Sequence, residues 1–97
     1  MPDAAPFPHS IDVTITAPIT NDRNSGWACV EWPGSREIFG TGAAVKVAGT
    51  VDGHPIEASM LPIGGGAHMI PIKAAIRKAI AKGPGDEVTI HLQQRLR

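Results

Sequence analysis

The chain has 97 residues, with nine basic and nine acidic side chains and a formal net charge of zero at pH 7. This length suffices for one domain with a single hydrophobic core. The balanced charge argues against a nucleic-acid-binding protein, because such proteins are usually more basic. Eleven glycines and nine prolines, with one convincing helical pattern, predict short strands joined by tight turns. We therefore expect a mainly β fold: a small closed or split β-barrel of about six to seven short strands with one amphipathic helix.

The N-terminal sequence and the cysteine content indicate the cellular compartment in which we expect the protein. No apolar run approaches the roughly 20 residues that span a bilayer, and the first ten residues, MPDAAPFPHS, lack the apolar region of a signal peptide. Cys29 is the only cysteine, so an internal disulfide is excluded. The sequence predicts a cytoplasmic protein without membrane contact, as a monomer or a homodimer.

The first third of the chain contains two predicted strands. Residues 1–9 are expected to form a flexible tail ahead of a single domain at residues 10–93. Apolar and polar side chains alternate from Ser10 to Thr16, which predicts a strand with one wet face. The polar, turn-rich segment from Pro18 to Gly26 predicts a loop without packing of its own. The second strand is WACVEW, from Trp27 to Trp32.

The two tryptophans of that strand and the residues after it have separate roles. Strand parity places Trp27 and Trp32 on opposite faces, so we expect Trp32 in the core. Trp27 is expected to line a pocket or an interface, or to cover the barrel end. The segment GSREIFG at residues 34–40 suits a single helical turn, with Ser35 as its N-cap.

Residues 44–61 predict a β-hairpin centred on Asp52-Gly53. The pair suits a type I′ turn, in which both central residues need positive φ. The polar face of this hairpin carries Lys46, Ala48, Glu57 and Ser59, and PIGGG at residues 62–66 is expected to be a flexible connection. The partners on the inward face are Val45 with Met60, Val47 with Ala58, Gly49 with Ile56 and Val51 with His54.

The segment from Met69 to Leu92 predicts a strand, a helix, a turn and a final strand. Apolar and basic residues recur with a period of 3.6 residues and form two sides, which predicts a helix at about residues 72–82. Gly83, followed by Pro84, predicts the left-handed residue that ends the helix. The alternation in VTIHL predicts the last strand, and residues 94–97 a short basic end. The apolar side is Ile72, Ala75, Ile76, Ala79 and Ile80, and the basic side is Lys73, Arg77, Lys78 and Lys82.

The two halves of the chain share a weak echo in the order of their elements. WACVEW, Pro33, a short turn, Gly42 and VKVAGTV correspond to HMI, Pro71, the helix, Gly85 and VTIHL. A duplication that closes one barrel would produce this echo, and so would chance.

Several short motifs, in order between about Ile11 and Leu92, resemble a bacterial family. They are TVDGHPI at residues 50–56, SMLP at 59–62, PIK at 71–73 with Arg77, and GDEV at 85–88. Together they resemble the domain-of-unknown-function family numbered 1905. The resemblance implies a small closed or split β-barrel with one main helix, and it implies no activity. The central stretch is also similar to the swapped-hairpin barrels of AbrB- and MazE-type proteins, which bind DNA.

The basic side of the helix is the strongest functional signal. No acidic residue lies between Ile72 and Lys82, so Lys73 and Arg77 have no local partner at i,i+4. We expect Arg77 either to clamp an acidic side chain or loop carbonyl, or to anchor an anion beside the glycines of residues 64–66. The alternative is an ordinary solvated face. The candidate ligand-binding residues are Lys73, Arg77, Gly65, Gly66, Ser59, His68 and Trp27.

Three function classes remain open. The preferred one is a non-enzymatic binding module for a small anionic ligand or a protein partner, with no cofactor. A nucleic-acid-binding barrel of the AbrB type is disfavoured by the neutral charge and the few aromatic residues. A small enzyme would use Ser59, His68 and Arg77, but no third orienting group accompanies the first two. The four scattered histidines and the single cysteine predict no metal site.

Overall fold

The computed structural model describes residues 9–22 and 25–97, and every structural statement below refers to them. Most of the predicted N-terminal tail, residues 1–8, therefore lies outside the described residues. The described chain forms seven strands and two short helices. Their bounds are β1 His9–Pro18, β2 Thr20–Asn21, β3 Ala28–Trp32, α1 Ser35–Phe39, β4 Val45–Val51, β5 His54–Gly64, β6 Ala67–Pro71, α2 Ala74–Ile80 and β7 Glu87–Arg95.

The strands form one curled sheet with the order β1-β7-β4-β5-β6-β3-β2. Every neighbouring pair is antiparallel. The two strands at the ends of this order, β1 and β2, are separated in the chain only by Ile19. Continuity of the chain thus brings the two ends of the order together, and the sheet curls into a barrel-like layer. The predicted fold class, a mainly β barrel with one main helix, is confirmed.

The core lies inside this curled sheet and comes mostly from strand residues of one parity. In β7, Val88, Ile90 and Leu92 are buried while Glu87 and Thr89 are exposed. Burying each such aliphatic side chain contributes about 1.5–3 kcal/mol relative to leaving it in water. The same alternation buries Val45, Val47 and Val51 of β4, Met60 of β5 and, as predicted, Trp32 of β3.

The predicted hairpin is confirmed in turn and register. Asp52 and Gly53 have φ of 49° and 83°, and Val45 pairs with Met60 while Val47 pairs with Ala58. The turn is also tied to β7, because Asp52 exchanges two hydrogen bonds of 2.8 Å with the backbone of Thr89. Local turn chemistry and a long-range contact therefore support the same geometry.

Two predicted loops are more ordered than expected. Ile19 is only 1 % exposed and belongs to the core, so the prediction of an unpacked loop at residues 18–26 was wrong there. A lone apolar residue among turn formers carries no periodic signal that would reveal it. The connection at residues 62–66 is also more regular than an open loop: β5 continues to Gly64, which pairs with Ala67 across a tight turn.

The helices also differ from expectation in detail. The N-cap of α1 is Gly34, and the Ser35 side chain makes no capping bond, so Ser35 is not the cap. The α2 helix is shorter than residues 72–82, and Ala81 rather than Gly83 adopts the left-handed conformation that ends it, with φ of 58°. No residue of α2 is fully buried, and Ala75 and Ala79 of the predicted apolar side are exposed. Neither helix of the described chain has the length and apolar character to cross a bilayer.

The echo between the two halves has a structural counterpart. We call β3-α1-β4 the first unit and β6-α2-β7 the second unit. The corresponding strands pair with each other, β3 with β6 and β4 with β7, and both pairs are antiparallel. Antiparallel pairing of equivalent strands is the arrangement that an approximate two-fold axis produces. The two units thus occupy related positions around one core.

Candidate functional site

One large depression lies between the start of α2 and the outer face of β5. Its volume is about 870 Å³, within the range of small-molecule sites, and we call it the α2 cavity. Three segments form it: the β4–β5 outer face, the chain from Pro71 to Arg77, and the entry to β3 from Gly26 to Ala28. The cavity therefore exists only where these three separated segments meet.

Much of the cavity wall is apolar. The segment before α2 supplies Pro71 and Ile72, the first residue of α2 supplies Ala74, and the strands supply Ala28, Ala58 and Leu61. Ile72 is fully buried and belongs to the hydrophobic core, so this wall is continuous with the interior of the barrel. Such a surface favours the apolar part of a ligand.

Four charged side chains line the same cavity. Lys46 and Glu57 face each other across the β4–β5 hairpin, with Nζ and Oε1 3.9 Å apart, and neutralise each other at the exposed rim. Lys73 and Arg77 have no carboxylate within ion-pair distance among the described residues. The α2 side of the cavity therefore carries two uncompensated positive charges.

Arg77 is held in place by the backbone just before its own helix, α2. Its Nε donates a hydrogen bond of 3.1 Å to the carbonyl oxygen of Ile72. That oxygen needs an outside donor because the helix begins only at Ala74, after the N-cap Lys73. A loop carbonyl was one of the predicted partners. The two Nη groups have no partner within the described part of the chain and remain available at the cavity.

Trp27 stands at the rim on a fixed backbone. Its carbonyl accepts a 2.8 Å hydrogen bond from the Asp22 amide, and its own amide donates to Ser25 Oγ at 3.2 Å. The Asp22 carboxylate in turn accepts two bonds from Ser25, both of 2.9 Å. Trp27 is nevertheless 55 % exposed. These hydrogen bonds thus hold a large aromatic residue at the mouth of the cavity.

Ser59 and His68 are not brought together. Ser59 lines the cavity from the outer face of β5, whereas His68 is fully buried. His68 Nε2 donates to the carbonyl of Ala43 at 2.8 Å, so Nδ1 is the acceptor for the hydroxyl of Ser35 at 2.6 Å. Both ring nitrogens are thereby engaged inside the protein. The geometry assembles no nucleophile–base pair from Ser59 and His68.

The glycines of residues 64–66 also lie elsewhere. The carbonyl of Gly66 accepts the amide of Arg36 at 3.1 Å, which places this turn beside α1. Between the turn and α2 runs β6, five extended residues that span about 16 Å. Of the predicted site residues, the structure gathers Trp27, Ser59, Lys73 and Arg77 in the cavity and leaves out Gly65, Gly66 and His68.

The remaining cations of the basic side separate from the cavity. Lys82 forms an ion pair of 2.7 Å with Asp52 and donates to the carbonyl of Glu87, so its role is structural. Lys78 is exposed and does not line the cavity. Only the first two positive residues of the basic side, Lys73 and Arg77, therefore belong to the candidate site.

Sequence reasoning missed Lys46, Glu57, Leu61 and Ile72 as cavity residues. For the first two, a signal existed, because the hairpin register already placed Lys46, Glu57 and Ser59 on one polar face. The sequence did not show that α2 would lie beside that face. No three His, Cys, Asp or Glu side chains of residues 9–22 and 25–97 come together as metal ligands.

Comparison with known families gives one match. The family model of a domain of unknown function, DUF1905, matches residues 16–92, which include the first unit, the second unit as far as Leu92 of β7, and every residue that lines the cavity. No curated protein matches this chain. The comparison therefore assigns no activity to the residues of the cavity.

Proposed function

Because the chain belongs to the DUF1905 family, whose description states no activity, we propose its function from the cavity: a non-enzymatic module that binds a small anionic ligand. The ligand lies in the α2 cavity with its negative group towards Lys73 and Arg77. Ser59 adds a hydroxyl that donates or accepts a hydrogen bond on the opposite wall.

The observation that carries this proposal is the pair of uncompensated cations beside an apolar wall. Solvated helix faces usually point away from apolar surface, as Lys78 does here. Lys73 and Arg77 instead line a concavity that also contains Ile72 and Leu61. A ligand with one apolar part and one anionic group complements both features at once.

The bond from Arg77 Nε to Ile72 supports this role. It fixes the guanidinium before any ligand arrives, so little side-chain entropy is lost on binding. The free Nη edge offers two parallel donors, the arrangement that suits a carboxylate or a phosphate. The same residue therefore acts as a clamp through Nε and as an anchor through Nη.

Calorimetric titration with benzoate and with inorganic phosphate tests the proposal, using the wild type, Lys73→Gln and Lys78→Gln. The last two variants remove the same charge from adjacent turns, inside and outside the cavity. A charge-assisted hydrogen bond contributes about 1.5–3 kcal/mol, so Lys73→Gln should weaken binding by roughly 10- to 100-fold. Lys78→Gln should bind like the wild type.

Two results would overturn the proposal. One is that neither anion binds the wild type. The other is that Lys78→Gln and Lys73→Gln weaken binding equally, which indicates a diffuse basic surface. In that case duplex DNA should be titrated at two salt concentrations, because a steep salt dependence identifies a nucleic-acid interface. Arg77→Lys complements the test because it removes both the Nε bond to Ile72 and the Nη edge: a lower melting temperature without ligand reports the clamp, and a lost affinity for the anion reports the anchor.

A further inference from the structure

The α2 cavity has more room and more apolar surface than a bare anion requires. A volume of about 870 Å³ is typical of sites for whole small molecules, and its wall is formed by Leu61, Ile72 and several alanines. Inorganic phosphate or a simple carboxylate would leave this wall in contact with water. The size and the apolar part of the lining thus favour a ligand with a substantial apolar body.

The apolar body has a specific neighbour in Trp27. Trp27 keeps more than half of its surface exposed, although its backbone is anchored by hydrogen bonds to Asp22 and Ser25. Trp32, five residues along the chain, is by contrast buried against Phe39 with the rings 5.7 Å apart. Trp32 thus serves as a structural tryptophan, whereas Trp27 has no ring partner among the described residues and lies at the mouth of the cavity.

The charged and aromatic features lie around the same depression. Lys73 and Arg77 come from the α2 side, and Trp27 comes from the entry to β3. The Nε of Arg77 is occupied by Ile72, so an acid group meets the guanidinium at its Nη edge. A ligand that satisfies all three residues has a ring at one end and an acid group at the other.

We infer that the ligand is an aromatic anion, with its ring against Trp27 and its carboxylate or phosphate group at Lys73 and Arg77. This inference rests on the proposed function and adds the class of the ligand body. Ring-on-ring contacts favour offset or edge geometries and exceed the gain from buried area alone. An aromatic ring should therefore bind better than a saturated ring of equal charge and similar size.

The test compares benzoate with cyclohexanecarboxylate by calorimetry on the wild type, Trp27→Phe and Trp27→Leu. Simple apolar contact predicts equal binding or a preference for the saturated ring, which has more apolar surface. Stacking predicts that the wild type binds benzoate about three- to tenfold more tightly. Trp27→Phe should keep most of this preference, and Trp27→Leu should abolish it. Trp27 is exposed, so circular dichroism should show all three proteins folded.

The two hypotheses fail in different ways. Equal affinity for the two carboxylates, or a preference that survives Trp27→Leu, would overturn the aromatic inference and leave the anion site intact. No binding of benzoate, cyclohexanecarboxylate or inorganic phosphate would overturn both. Phenyl phosphate in place of benzoate distinguishes the acid groups: tighter binding that is lost in Lys73→Gln identifies an aryl phosphate, and weaker binding identifies an aryl carboxylate.

Discussion

At the α1 end of the barrel, Ser35 and His68 are fully buried and hydrogen-bonded, and Phe39 packs edge-on against Trp32. Arg95 donates to the carbonyl of Phe39 at 2.9 Å and lies over its ring, 6.0 Å from the centroid. At the α2 end, no residue of the helix is fully buried, and a cavity with two uncompensated cations takes the place of this packing. The two units have the same order of elements, but the first closes its end of the barrel with packed side chains and the second leaves a cavity.

This difference agrees with the proposed function, in which the first unit stabilises the fold and the second unit binds the ligand. Buried polar groups at the α1 end have their partners inside the protein, which stabilises the fold and leaves nothing for a ligand. Charged groups at the α2 end keep donors directed at a concave surface. A fold made of two related units can thus specialise one end for stability and the other for binding.

The largest predicted effect lies where the units meet, at Gly49 of β4. It pairs with Leu92 of β7, and a Cβ at this position would overlap the carbonyl oxygen of His91. Gly49→Ala should therefore separate β4 from β7 and lower the free energy of unfolding by about 3 kcal/mol, at the upper end of overpacking effects. Urea denaturation of the variant and the wild type measures the loss.

Gly83→Ala is the matched control for Gly49→Ala. Gly83 has no heavy atom within 4 Å of an added Cβ and does not adopt a positive φ. Its free energy of unfolding should change by no more than about 0.5 kcal/mol. Equal effects at the two glycines would contradict the close contact between the units.

The second prediction compares two serines, one at each end. Ser35→Ala removes the donor to His68 Nδ1 and leaves that nitrogen buried without a partner, which should cost about 1–3 kcal/mol. Ser59→Ala, in the exposed cavity wall, should change stability by less than about 0.5 kcal/mol. Thermal denaturation followed by circular dichroism measures both. Equal melting temperatures of the two variants would contradict the tight packing of the α1 end.

The third prediction concerns how the two helices end. Both end in a left-handed residue, which is Gly40 after α1 and Ala81 after α2. That conformation costs a residue with a Cβ roughly 1–2 kcal/mol, whereas glycine adopts it freely. Gly40→Ala should therefore destabilise by about 1 kcal/mol, and Ala81→Gly should stabilise by about 0.5–1 kcal/mol. Opposite signs in chemical denaturation are the expected outcome, and the same sign would contradict it.

The smallest predicted effect concerns the ion pair between Lys82, which follows α2, and Asp52 in the turn of the β4–β5 hairpin. The hydrogen bond from Lys82, with the one from the Thr89 amide, holds the pKa of Asp52 below its ordinary value of 3.8. Asp52→Asn keeps an oxygen for Thr89 and tolerates the positive φ, and it removes the negative charge together with the acceptor for Lys82 Nζ. At pH 7 it should lower stability by less than about 1 kcal/mol.

The pH dependence of this pair has a definite sign. A carboxylate whose pKa is lower in the folded state contributes stability above its unfolded pKa and loses it as the pH falls through the folded value. The stabilities of the wild type and Asp52→Asn should therefore differ at pH 7 and converge below about pH 3.8. Urea denaturation at pH 7, 4 and 3 follows this convergence, and a constant difference at all three values would contradict the role of the charge.

Local chemistry determined much of the fold. The alternation in β4, β5 and β7 predicted which side chains are buried, and Asp52-Gly53 set the register of the hairpin. The parity of the predicted strand from Trp27 to Trp32 separated the two tryptophans correctly: Trp32 is buried, and Trp27, just before β3, is exposed. These features depend on period and turn geometry, which act between residues close in the chain.

The tertiary structure alone decided the composition of the candidate site. Lys46 and Glu57 join Lys73 and Arg77 because the outer face of β5 lies beside α2, and Ser35 meets His68 across 33 residues of chain. Conversely, the glycines of residues 64–66 precede α2 closely in sequence but are carried to the other end by β6. Strand order sets these distances, and no local pattern encodes it, because each strand satisfies its own alternation equally well beside several neighbours.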